Sequence, residues 1–168
     1  MLFRSRVTQV DVPEDFPTAE TVGLRAILSA PYDAIQEYDF GKSRRALATI
    51  EEEIRNVSPS SFPQIEARLL EALESSRTTF AGRQFVCRML RRVDSAKSIP
   101  ALAKLLADKE LSHMARFALQ FMAAPEAGAA LREALPKLDG DLKIGVIGSL
   151  GQRGDRQAVP AIAQLQNS

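Results

Sequence analysis

From Ser43 onward the hydrophobic positions of this chain fall into helical stripes. Leu47, Ile50, Ile54 and Val57 follow one another at intervals of three, four and three, which is one side of a helix. Glu51, Glu52 and Glu53 stand mostly off that side and read as a solvated face, and Ser58-Pro59-Ser60-Ser61 ends the helix. A second stripe, Ile65, Leu69, Leu70 and Leu73, predicts the next helix. Ser61 and Gln64 stand before it in capping-box spacing, with Pro63 in its first turn. Upstream, Pro13, Pro17 and Pro31 break any long helix, and only short ones are expected at Thr21–Ser29 and Asp33–Tyr38. Alternation of period two never runs beyond a few residues, so no strand is expected.

The second half of the chain repeats itself. SIPALAKL at 98–105 and AVPAIAQL at 158–165 share Pro100, Ala101, Ala103 and Leu105 with Pro160, Ala161, Ala163 and Leu165. Sliding residues 85–106 forward by 29 and then by 31 aligns Phe85 with Met114 and Gly145, and Val86 with Ala115 and Val146. It also aligns Met89 with Ala118 and Ser149, Leu90 with Leu119 and Leu150, and Val93 with Met122 and Arg153. The same two shifts align Leu102 with Leu131 and Ile162, and Leu105 with Ala134 and Leu165, so one register serves two successive helices. The matched columns form one apolar stripe, whereas the columns between them vary freely: Arg88, Phe117 and Gly148 share one.

A pair of helices this short cannot bury both apolar faces alone, but stacked pairs bury them in a continuous core. The expected fold is therefore all-α: a right-handed α-solenoid of stacked antiparallel helix pairs with a period of about 30 residues. It is expected to occupy residues 41–168, after a poorly determined N-terminal segment at 1–40. Ala115, Ala118, Gly145 and Ser149 are expected to let neighbouring backbones approach. Gly151 and Gly154 suit a helix end and the turn after it, and Asp155 suits a cap for the helix containing Pro160.

The stretches DSAKSIPALAKLLADKELSHMARFAL and LKIGVIGSLGQRGDRQAVPAIAQL resemble HEAT-like repeats, especially the short bacterial kind named after phycobilisome lyases. Val159-Pro160-Ala161-Ile162 and Ser149-Leu150-Gly151 match that pattern, while the middle copy, AGAALREAL at 127–135, lacks the proline. The resemblance covers residues 83–166 and extends back toward Ser43. It implies a helical-repeat fold in a bacterial protein, and such a fold specifies no single function.

Composition narrows the partners. The 168 residues suit one domain, which on folding buries roughly 70% of its surface. The 22 basic and 21 acidic residues leave a net charge of +1, which argues against a protein given over wholly to coating nucleic acid. One cysteine excludes an internal disulfide and a cysteine-based zinc cluster. No run of 18 apolar residues exists, so no membrane insertion is expected. Met1–Ser5 reads as the translated tail of a sequencing adaptor, and AVPAIAQLQNS stops inside a pattern that continues upstream. Both ends are therefore expected to be truncated, a native signal could be missing, and the compartment, cytoplasmic or exported, stays open.

Catalytic candidates are few. His113 has Gln84 and Ile144 as repeat counterparts and no Asp or Glu cluster at ligand spacing, so it reads as a half-exposed residue near a helix start. Cys87, with one histidine in the whole chain, reads as an inert, partly buried thiol. SLGQRGD lacks the strand that a phosphate-binding loop needs and reads as a turn. No enzyme activity and no cofactor or metal are expected. The site of interest is RMLRRV: Arg88, Arg91 and Arg92 share a helix face turned from the apolar stripe, with Arg77, Arg83 and Lys97 expected nearby. The face either pairs with Glu66, Glu71 and Glu74 or holds an acidic partner or phosphate. Few aromatics stand near it in sequence to stack on bases. The reading that follows is a non-catalytic scaffold for a protein or peptide partner. The alternatives are nucleic-acid or phosphate binding through the arginine face, and an accessory domain of a longer enzyme.

Overall fold

Every described element is helical. The computed structural model describes residues 30–165, so the helix expected at Thr21–Ser29 and the segment Met1–Ser5 lie outside the described residues. Residues 30–37 are helical (α1), followed by α2 (Arg45–Asn56), α3 (Phe62–Glu74), α4 (Phe80–Val93), α5 (Ile99–Lys104), α6 (Ser112–Leu119), α7 (Pro125–Ala134), α8 (Gly140–Arg153) and α9 (Val159–Leu165). No strand occurs among the described residues.

The stripes are mostly buried where the spacing predicts, although Val57 and Leu70 are half-buried and no residue of α9 is buried. Leu47, Ile50 and Ile54 of α2 face the core, as do Ile65, Leu69 and Leu73 of α3. Phe85, Val86, Met89, Leu90 and Val93 of α4 are buried, and so are their counterparts Met114, Ala115, Ala118, Leu119 and Met122. Each fully buried Leu or Phe contributes about 1.5–3 kcal/mol relative to an exposed one. Tyr32, Ile35 and Tyr38 join the same core.

Local sequence sets the helix ends. Thr79 starts α4 by accepting the Gly82 N–H at 3.0 Å, and Asp94 ends it in left-handed backbone at φ 52°. Gly154 ends α8 the same way at φ 64°. Ser95 and Asp155 then cap the short 3-10 turns Ala96–Ser98 and Arg156–Ala158, accepting from Lys97 at 3.3 Å and Gln157 at 3.0 Å. Pro100 and Pro160 follow in the first turns of α5 and α9, where a missing N–H leaves no helical bond unmade.

Three local expectations are corrected. Ser61 makes no capping bond: it already has helical backbone (φ −88°, ψ −10°), because the 3-10 turn Pro59–Ser61 leads into α3. Gly151 lies inside α8, and Gly154 alone makes the turn. Gly145 leaves room for a side chain rather than a backbone, since the Arg116 guanidinium fills the space its Cβ would take and donates to the Gly145 carbonyl at 3.0 Å.

Packing follows an alternating order. α4 lies against α3 and α6, α6 also against α8, and α5 and α8 both against α7. The connections are tied across the same order. The Asp94 carboxylate accepts the Ala123 N–H at 3.0 Å. Arg153 donates to the carbonyls of Leu119, Met122 and Ala124 at 2.6, 2.7 and 3.3 Å. Its column is otherwise filled by Val93 and Met122; the guanidinium stands there as the shared donor on which the three loop carbonyls converge, that of Ala124 also accepting the Ala127 N–H at 3.1 Å.

Candidate functional site

The arginine face of α4 is built by leaving its other side to the core. Eight residues of α4, from Ala81 to Val93, are buried, so Arg88 and Arg91 emerge half-buried and Arg92 exposed. Among the described residues none of the three is ion-paired with Glu66, Glu71 or Glu74. Glu71 and Glu74 are exposed, while Glu66 is buried beside Phe62, Val93 and Lys97 with one carboxylate oxygen unpartnered.

Arg91 instead reaches across to α6. Its guanidinium carbon lies 4.6 Å from the centre of the Phe117 ring and 4.3 Å from that of Phe121. The two rings meet edge to face at 5.6 Å. A planar cation held over aromatic faces gains electrostatic attraction and loses little of its donor edge. Phe121 remains 45% exposed, so the cluster lies at the surface. The sequence offers few aromatics near the arginines, and this is the correction that matters most: Phe117 and Phe121, which stand well downstream in sequence, sit beside Arg91 because α4 packs on α6. The signal was present in the register, where Phe117 shares a column with Arg88 and Phe121 shares one with Arg92.

The expected neighbours of the patch lie elsewhere. Arg83 donates to the Ser75 carbonyl at 3.2 Å, and Lys97 borders the hollow beside Glu66. Beyond α6 the face continues onto α8, where an added side chain at Gly148 or Gly151 would meet nothing within 4 Å and Ile144 is 66% exposed.

The remaining candidates have quiet surroundings. Cys87 is completely buried, and that burial pushes its thiol up to about 12, which keeps it protonated and un-nucleophilic at neutral pH. His113 is exposed, and no group of three His, Cys, Asp or Glu stands at metal-binding distance among the described residues. Glu51 pairs with Arg44 at 2.9 Å and Glu53 accepts the Tyr32 hydroxyl at 2.8 Å; both are half-buried, and Glu52 is the exposed member of that run. An open hollow of about 380 Å³ is bordered by Arg132, Arg153, Asp155 and Arg156. Within it Arg132 is ion-paired with Asp155, and Arg153 is held by loop carbonyls. Burial between α6 and α8 lowers the basicity of Arg116. No helix of the described residues is long and apolar enough to cross a membrane. Comparison with protein-family models, with curated proteins and with solved structures finds no match to this chain.

Proposed function

We propose that residues 41–168 are a right-handed α-solenoid of HEAT-like repeats, and that the chain is a non-catalytic scaffold presenting an extended surface to a protein partner. The supporting observation is a correspondence of detail sixty residues apart. α4, a capped 3-10 turn and α5 recur as α8, a capped 3-10 turn and α9, with Asp94 and Gly154 in the same left-handed backbone. Most core columns stay apolar or small, Arg153 apart, while outer columns change from Arg88 to Phe117 to Gly148, the division of labour expected of a repeat module whose outer face meets a partner.

The test is a random-peptide display selection on the full chain, with bound peptides mapped by cross-linking. Peptides that converge on the outer side of α4, α6 and α8 support the reading. Enrichment of none, or binding confined to other surfaces, overturns it.

A second reading, phosphate or nucleic-acid binding by the same arginines, draws on Arg88 and Arg92 having no described ion pair. It predicts salt-dependent retention on a phosphate matrix that is lost when Arg88, Arg91 and Arg92 are changed to Glu. Equal retention of the wild type and that variant removes it.

A further inference from the structure

We infer that the partner segment received by this surface is an acidic peptide with apolar side chains at one end, its carboxylates over α4 and its apolar end over α6 and α8. The inference rests on the scaffold reading and adds the chemistry of the occupant.

Arg91 is the anchor. Its flat face is covered by Phe117 and Phe121, and its N–H edges have no acceptor among the described residues. A guanidinium already held in place donates its two parallel bonds to a carboxylate with little further loss of freedom. Arg88 and Arg92 flank it on the same helix, and among the described residues none of the three has an ion-pair partner.

The surface then changes character in one direction. One helix further the equivalent positions are Phe117 and the half-exposed Phe121, and one helix beyond that they are Gly148 and Gln152. Open space above Gly148 and the exposed Ile144 offer apolar contact without charge. A nucleic-acid strand needs cationic contacts along its whole path, because each phosphate carries charge. Here the cations of the Arg88 and Arg92 columns are not repeated on α6 and α8, and Arg116 between those helices is turned to the Gly145 carbonyl, which favours a ligand that is itself acidic at one end and apolar at the other.

The test is fluorescence anisotropy with four labelled probes and the full chain. The first is a dodecapeptide of glutamates followed by Leu and Phe, the second has glutamates and serines only, the third has lysines in place of the glutamates, and the fourth is a twelve-nucleotide oligothymidylate. The first peptide should bind most tightly, with the all-acidic peptide about tenfold weaker and the lysine peptide unbound. Arg91→Lys keeps the charge but loses the stacked fork, and should weaken the first peptide about tenfold. Phe121→Ala should weaken the first peptide and leave the all-acidic one unchanged. Arg55→Ala on α2 serves as the control that changes neither. Thermal melts establish that the variants are folded, and Phe121 is exposed enough for its removal to be tolerated.

Tightest binding of the oligothymidylate, or first-peptide affinity indifferent to both Arg91→Lys and Phe121→Ala, overturns the inference. Display-selected peptides that map to this face but carry no acidic residues also overturn it, while leaving the scaffold reading intact. Absence of any peptide on this face removes both.

Discussion

Asp94 and Gly154 close α4 and α8 with the same left-handed backbone, φ 52° and 64°, although only one of them is a glycine. Asp94 tolerates that conformation because its carboxylate has a use there, accepting the Ala123 N–H at 3.0 Å. Asp94→Asn keeps an acceptor and the backbone tolerance, and should match the wild type within about 0.5 kcal/mol in urea unfolding. Asp94→Ala loses both and should be less stable by about 2 kcal/mol. An alanine variant as stable as the asparagine one would show that the carboxylate contributes nothing to the connection.

Arg153 stands in a column otherwise filled by Val93 and Met122 and holds three loop carbonyls. Arg153→Met restores apolar character to that column but leaves those carbonyls without their donor. The expected loss is about 2–3 kcal/mol by chemical denaturation. A stabilised variant would mean that the loop carbonyls are satisfied by water at no penalty.

Two glycines inside helices should respond in opposite senses. A methyl group at Gly82 would run into the Ile35 backbone carbonyl, where α1 crosses the start of α4, so Gly82→Ala should lower stability by about 2–3 kcal/mol. At Gly151 the same group would meet nothing within 4 Å, and Gly151→Ala should raise stability by about 0.5–1 kcal/mol through helix propensity. Thermal melts of the two variants measured side by side check the contrast.

Cys87 should make stability depend on alkaline pH. Burial raises its thiol from 9.0 to about 12, so above pH 9 the unfolded chain binds fewer protons than the folded one. Stability is therefore unaffected below that pH and falls as pH rises, by up to about 1.4 kcal/mol per unit. The Tyr32 hydroxyl is also raised, by burial first and by its bond to Glu53 second, but it titrates from 10.0 upward. Between pH 9 and 10 the slope of unfolding free energy against pH should thus be shallower in Cys87→Ala than in the wild type, and parallel lines would contradict the assignment. Native protein should also resist Ellman's reagent at neutral pH until it unfolds.

The helices were legible in the sequence because burial imposes period: Leu47, Ile50 and Ile54, or Phe85, Val86 and Met89, can share a core only on a helix. The turns were legible where a residue type carries its own geometry, as with Gly154 and Pro160. Contacts between helices distant in sequence were not. Arg153 reads as a polar intruder until the loop after α6 is placed beside it, and Arg116 fills the space above Gly145 only because two helices lie in a particular register. The Arg91 cluster failed for the same reason: its rings are close in space but distant in sequence. Ser61 misled because the chain tightens into a 3-10 turn one step before the helix, which a spacing rule does not register.

The claim beneath all of these is that α4, α6 and α8 are equivalent, successive layers. Spin labels at the matched positions Gln84, His113 and Ile144, placed in pairs and measured by electron paramagnetic resonance, test it directly. Neighbouring packed helices lie about 8–10 Å apart. The 84–144 separation should therefore be about twice the 84–113 and 113–144 separations. An outer separation no longer than the inner ones would mean that the three helices close on one another as a bundle, and the layered account would be wrong.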